Sequence, residues 1–169
     1  MAPIVVIEVA SFSCLHCRAF QAQVFPALRD RYIASGQVRW VMLNSAEDAV
    51  GGDGRIFLVG RCLWSERSFW PVAEFLFRIG NQPPDTLEPL LAENTDIDPD
   101  RLGSCLADPA TRRLVEADLA EFRRLHVVGT PYFYVRRRRT SGEWEETEIA
   151  GYQSREYFGR VFDRLLRSP

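Results

Sequence analysis

The run from Ile4 to Ala10, IVVIEVA, is apolar and β-branched except for Glu8, which predicts a buried strand. From Cys14 to about Ala34, the apolar positions Phe20, Val24, Leu28 and Tyr32 recur at four-residue steps, the period of a helix. Ser11 and Ser13 precede it as caps. Pro26 falls inside this helix and is expected to kink it, and Ser35-Gly36 ends it. Val38 to Leu43, VRWVML, is a second strand, expected to run parallel to the first through a right-handed crossover.

Between Asn44 and about Val128 no strand pattern stands out. Helices are expected over Gly54 to Trp64, Phe69 to Ile79, Thr86 to Asn94, Pro99 to Ala107 and Ala110 to Leu125. Gly80, Pro83-Pro84 and Asp108-Pro109 punctuate them. Strand character returns at Tyr132 to Arg138, and Ser141-Gly142 makes a two-residue turn. Glu143 to Ala150 then folds back as a hairpin partner. After Gly151, Ser154 caps a last helix with Phe158, Val161, Phe162 and Leu165 on one face. The class is α/β, ordered β-α-β, a helical insertion between the second and third strands, then β-β-α. Residues 1–44 and 127–169 form one domain, and 45–126 an inserted helical subdomain.

At 169 residues, with 46% hydrophobic and 26% charged, the chain can bury a core and is neither disordered nor fibrous. A net charge of −2 argues against a nucleic-acid binder driven by bulk charge. The run Arg136 to Arg139 does not reverse this. With a turn at Ser141-Gly142, Arg138 opposes Glu145 and Arg137 opposes Glu146, a cross-strand charge ladder. No apolar run reaches the roughly 20 residues of a membrane-spanning helix. The segment Ile4 to Ala10 lacks a preceding basic region and carries Glu8, so it is read as a strand and not as a secretory leader. A cytosolic protein and one whose leader was removed both fit. All 21 basic residues are Arg, which removes Lys as a nucleophile or base. The two histidines, His16 and His126, are too few for a multi-histidine metal site, and no metal is expected.

Four cysteines, Cys14, Cys17, Cys62 and Cys105, are too few for a disulfide scaffold but suit one reactive pair. Cys14-Leu15-His16-Cys17 lies where the first strand passes into a helix. There Cys14 meets free backbone N–H groups and the positive end of the helix dipole, which favour a thiolate. Cys17, one turn deeper, is placed to attack a mixed disulfide on Cys14, and His16 can add positive charge. Half of a zinc site is the competing reading, but Cys62 and Cys105 are isolated in sequence. Glu8 is the charged residue of an apolar strand. Either it is a proton acceptor beneath the disulfide, serving the thiol of Cys17, or it reaches solvent at the strand end. Gly129-Thr130-Pro131, opening a strand, is a candidate for a cis X–Pro bond. Phe57, Trp64, Phe69, Trp70, Phe75 and Phe77 are expected to form the insertion core, a share of them exposed near Cys14 to grip unfolded substrate.

These residues resemble the DsbA-like branch of the thioredoxin superfamily of thiol:disulfide oxidoreductases. The resemblance rests on E-x-x-x-x-x-C-L-H-C from Glu8 to Cys17 and the kinked first helix with Pro26. It rests also on V-x-G-T-P from Val127 to Pro131, Gly151 before the final helix, and the helical insertion. It covers nearly the whole chain. It implies a thioredoxin fold in which Cys14 is the exposed nucleophile, Cys17 its buried partner and Glu8 a proton-transfer group. It implies that Leu15, Thr130 and Pro131 contact an extended substrate chain. Well-known oxidases of this type carry Pro where Leu15 stands, and that dipeptide tunes the potential. Some similar proteins carry a second, structural disulfide, which here would join Cys62 to Cys105; two buried thiols are the alternative.

The implied function is oxidation of cysteine-containing proteins by a monomer with no cofactor. Reoxidation would come from a membrane quinone-linked oxidase in a periplasmic or other extracytoplasmic compartment. A reductase or isomerase of the same fold, and a metal-delivery or binding module using the cysteine pair, are the alternatives.

Overall fold

The computed structural model describes residues 2–45, 54–63, 69–80 and 82–167. Strands β1 (Ile4–Ala10), β2 (Val38–Asn44), β3 (Tyr132–Arg138) and β4 (Trp144–Ala150) form one sheet in the order β2-β1-β3-β4. The helices are α1 (Leu15–Gln23), α2 (Phe25–Leu28), α3 (Arg29–Ile33), α4 (Arg55–Leu63), α5 (Phe69–Ile79), α6 (Pro84–Asn94), α7 (Pro99–Ala107), α8 (Pro109–Arg124) and α9 (Arg155–Arg167). β1 pairs antiparallel with β3, and β3 antiparallel with β4.

The chain divides into two compact units. The first comprises Met1–Ala10, Leu15–Leu43 and Val127–Pro169; the second comprises Ser11–Cys14 and Asn44–His126. In the first unit, one face of the sheet carries an aromatic core. Phe20 of α1 lies 4.8 Å from Phe133 of β3 and 5.4 Å from Phe158 of α9, and 6.1 Å from Trp40 of β2. Helices α1 and α9 therefore pack on the same side of the sheet. In the second unit α4 touches α5, α6, α7 and α8. Its sequence, RIFLVGRCL, is apolar nearly all round, as a central helix requires. Phe57, Phe75 and Phe77 are buried there, while Phe69 and Trp70 are half-buried and pack on each other at 5.0 Å. Trp64 lies outside the described residues.

Several boundaries differ from the sequence expectation for local physical reasons. One helix kinked at Pro26 is expected; three segments form. α1 stops at Gln23, and Pro26 sits in the first turn of α2, where its missing N–H leaves no hydrogen bond unmade. α3 is a π-helical turn, closed by Ala34 N–H donating to the Arg29 carbonyl at 2.9 Å. Phe20, Val24, Leu28 and Tyr32 stay buried throughout. α6 and α8 each begin at a proline that the sequence reading treats as punctuation. Pro84 and Pro109 open them, and Asp108 caps α8 by accepting the Ala110 N–H.

The hairpin register is shifted by one residue. Arg136 stands opposite Glu146, Arg137 opposite Glu145 and Arg138 opposite Trp144. Arg139 N–H donates to the Glu143 carbonyl at 2.8 Å, and Gly142 N–H to the Arg139 carbonyl at 2.9 Å. The loop is therefore Thr140, Ser141 and Gly142. Its last residue needs the left-handed region, which Gly142 takes at φ +90°. The charge ladder persists with altered partners, Arg136 with Glu146 and Arg139 with Glu145. His126, to which the sequence reading assigns no role, ends α8 in the left-handed region at φ +52°.

Cys62 of α4 and Cys105 of α7 are joined by a disulfide across a sequence separation of 43. Closing a loop of that length restricts the unfolded chain. Replacing both cysteines with Ala is expected to lower the unfolding free energy by about 3–4 kcal/mol in denaturant melts. An unchanged midpoint would show that the bridge does not stabilise the second unit.

Candidate active site

β1 ends at Ala10, and a tight turn leads into α1. Cys14 N–H donates to the Ser11 carbonyl at 3.2 Å, and Ser13 N–H donates to Ser11 Oγ at 3.1 Å. α1 begins at Leu15, so Cys14 immediately precedes the first helical residue and Cys17 lies in the first turn. Cys14 is half-buried and Cys17 fully buried, and neither takes part in the Cys62–Cys105 bridge. Leu15 is 73% exposed and His16 is exposed, so the two intervening residues point outward while Cys17 points into the core.

Glu8 faces the aromatic core and has no exposed surface. Its register partner on β3 is Phe133. Trp40 Nε1–H donates to Glu8 Oε2 at 2.8 Å. Gln21 Nε2–H reaches both carboxyl oxygens, Oε1 at 3.0 Å and Oε2 at 2.9 Å. Burial pushes the Glu8 carboxyl from an ordinary 4.5 up to about 7, against the pull of the Trp40 and Gln21 donors. Of the two sequence readings of Glu8, the solvent-reaching carboxylate is excluded. Cys17 and Gln21 are separated by one helical step of four and are both buried, so they share a face of α1. That face is the one presented to Glu8.

The Thr130–Pro131 peptide bond is cis. Pro131 is buried, and its carbonyl accepts the Gly151 N–H at 2.8 Å, one step beyond the β3–β4 ladder. Gly151 leaves the strand at φ +72°, which lets its N–H turn back to that carbonyl. Exposed apolar surface occurs at Leu15 and at Val128, which is 94% exposed. Of the insertion aromatics expected to grip substrate, the described ones, Phe57, Phe69, Trp70, Phe75 and Phe77, are not among the large exposed residues.

Two participants go unnoticed in the sequence reading, Gln21 and Trp40. Gln21 carried a signal, being a polar residue at the buried period of α1, four positions after Cys17. Trp40 carried a weaker one, as its ring reads simply as core in an apolar strand. Among the described residues no cluster of three or more His, Cys, Asp or Glu could hold a metal ion, and no helix is long and apolar enough to cross a membrane.

Comparison with known proteins bears on the fold and the family. A protein-family model described as thioredoxin matches residues 1–151. The disulfide bond formation protein D of Bacillus subtilis is 28% identical over 144 residues, 79% of this chain. The matched part is 64% of that curated relative's length. The crystal structure of oxidised BdbD from Bacillus subtilis superposes with a TM-score of 0.79 at 23% identity, covering 99% of this chain and 89% of that one. Wolbachia pipientis alpha-DsbA1 superposes with a TM-score of 0.79 at 21% identity, covering 97% and 86%. These two likenesses establish the fold.

The raised proton affinity of Glu8 has a measurable sign. Between about pH 4.5 and 7 the folded chain keeps the Glu8 proton and the unfolded chain has released it. Stability therefore falls as pH rises through this window. The contribution is fully present below about 4.5 and lost once the pH passes about 7, a change of about 3 kcal/mol. Glu8→Gln, which keeps the shape and removes the titration, is expected to flatten that slope in chemical denaturation. Equal slopes for the two proteins would contradict a buried, proton-holding Glu8.

Proposed function

The chain belongs to the thioredoxin family, and from that premise we propose that it is a thiol:disulfide oxidoreductase of the DsbA-like type working through Cys14 and Cys17. The observation that carries this reading is the pairing of the cysteine motif with a buried acid. Cys17 shares the inward face of α1 with Gln21, and Gln21 holds Glu8.

In the proposed reaction a substrate thiolate attacks Cys14 Sγ of the Cys14–Cys17 disulfide. The S–S bond breaks and its electron pair passes to Cys17 Sγ, which takes up the proton held by Glu8. The second substrate thiolate then attacks the substrate sulfur of the mixed disulfide, and Cys14 leaves as a thiolate. The substrate dithiol becomes a disulfide, and the protein pair is reduced. Placement of Cys14 before α1 supports its leaving as a thiolate, since the first N–H groups of a helix favour negative charge. Exposed His16 adds a donor beside it.

Leu15, Thr130 and Pro131 are proposed to contact an extended substrate segment. Exposure of Leu15 and Val128 supports an apolar component to that contact. The helical unit, residues 45–126, is proposed as an inserted subdomain of this fold. Its Cys62–Cys105 disulfide supports an extracytoplasmic, oxidising compartment. Return of the pair to the disulfide then requires an oxidant, for which a membrane quinone-linked oxidase is the proposed partner. The protein is proposed to act as a monomer without a cofactor.

The test uses a peptide carrying two thiols and single-cysteine variants. Cys14→Ser is expected to abolish oxidation of the peptide. Cys17→Ser, given the same peptide in its disulfide form, is expected to accumulate a mixed disulfide at Cys14: the Cys14 thiolate opens the peptide S–S bond, one peptide sulfur leaves as a thiolate, and no second protein thiol resolves the bond. Mixed disulfides found at Cys17 instead would overturn the assignment. Direction is read from the potential of the pair. A value near about −120 mV marks an oxidant, and one near about −270 mV marks a reductase.

A further inference from the structure

Gln21 Oε1 is buried and lacks a hydrogen-bond partner, although the other end of the same amide is fully engaged. A lone amide oxygen in a core is unfavourable, and an apolar residue at this buried position would have avoided it. We propose that Gln21 is a positioning residue for Glu8 that holds both protonation states of the carboxyl, its amide oxygen gaining a partner when Glu8 takes up a proton. The significance of this for disulfide exchange rests on the oxidoreductase reading above.

The geometry follows from the donors and acceptors present. An ionised carboxylate can only accept, and the bonds observed are of that kind. Gln21 Nε2–H bridges Oε1 and Oε2, and Trp40 Nε1–H donates to Oε2. Indole N–H is a donor only, so Trp40 reserves Oε2 as an acceptor in either state. The proton therefore belongs on Glu8 Oε1. An acid and an amide then close a two-bond ring. Gln21 Nε2–H donates to Glu8 Oε2, and Glu8 Oε1–H donates to Gln21 Oε1. A small shift of the amide converts one arrangement to the other, and the unpartnered oxygen is satisfied in the second.

Among the described residues, the groups that meet Glu8 are neutral. β2 presents Trp40, β3 presents Phe133, and α1 presents Phe20, Gln21 and Cys17. Desolvation, Trp40 and Gln21 account for the altered proton affinity of Glu8, with no contribution from a charged side chain. The chain contains no lysine that could pin the carboxylate in its ionised form. Cys17, on the same face of α1 as Gln21, is the titratable group placed to exchange a proton with the pair.

The experiment follows the Gln21 side-chain amide and the Glu8 carboxyl carbon by NMR in the full reduced chain between about pH 5 and 9, a window spanning ordinary thiol and raised carboxyl titrations. The Gln21 amide resonances are expected to move with pH and to share the midpoint of the Glu8 carboxyl. In Glu8→Gln the movement is expected to vanish. Amide resonances that stay fixed while Glu8 titrates would overturn the proposal. So would Gln21 resonances that still titrate in Glu8→Gln, since another group would then drive them. Neither readout depends on disulfide exchange. Coupled titration in a chain that oxidises no dithiol would keep the Gln21 pairing and remove the oxidoreductase reading; exchange activity with a silent Gln21 would do the reverse.

Discussion

A carboxyl group with no exposed surface, set into an aromatic face of the sheet, is the constraint around which the first unit is built. Burying it without partners would cost several kcal/mol, so its oxygens must be met by donors at fixed positions. Trp40 and Gln21 meet them from a strand and a helix on two sides of Glu8. Both donors are held in turn. The Trp40 ring packs against Phe25 at 5.3 Å and Phe133 at 5.9 Å, and Phe20, one residue before Gln21, fills the space between sheet and α9. The rotation of α1 about its own axis is set by these contacts. Cys17 stands four residues before Gln21, so the rotation that delivers Gln21 to Glu8 also sends Cys17 inward and leaves Leu15 and His16 facing out.

The second unit obeys a simpler rule. α4 is apolar nearly all round and needs other helices to cover it, which α5 to α8 do. Its packing leaves little room for variation. A Cβ at Gly60 would fall 3.1 Å from the Phe12 ring and 2.6 Å from the Asn44 amide nitrogen. Phe12 also lies 4.7 Å from Phe77 of α5, which fixes the turn just ahead of Cys14. The disulfide between α4 and α7 ties the central helix to a neighbour distant in sequence.

Element order was readable because each element carries a strong period. The apolar run of β1, the four-residue steps from Phe20 to Tyr32 and the amphipathic α9 each leave one plausible assignment. The errors fall where a single residue decides geometry. Pro26 reads as a kink because periodicity continues across it, whereas the backbone breaks at Val24 so that Pro26 can occupy a first turn. Ser141-Gly142 reads as a two-residue turn because Gly suits either loop, and only the pairing of Arg139 with Glu143 fixes the length at three. The cysteine motif and Glu8 stood out by residue type and spacing. Gln21 and Trp40 did not, since hydrogen bonds between β1, β2 and α1 depend on side-chain direction, which sequence spacing states only for residues on one element.

The neutrality of the donors that meet Glu8 gives the site its chemical character. A cation beside a buried acid holds it ionised and makes protonation expensive. A purely apolar pocket does the opposite and keeps the acid neutral at every working pH. Here burial is opposed by two neutral N–H donors, and the carboxyl settles near neutrality, at about 7. In the proposed reaction that balance is what Cys17 requires. When its disulfide opens, a thiolate forms in a site closed to water, and a nearby proton must be released to it. When the disulfide is restored, the same proton must be taken back. An acid with nearly equal populations of both forms serves each direction with little bias. In that proposed reaction, control of direction passes to Cys14, set just before α1, and to the two residues between the cysteines, the outward-facing Leu15 and His16.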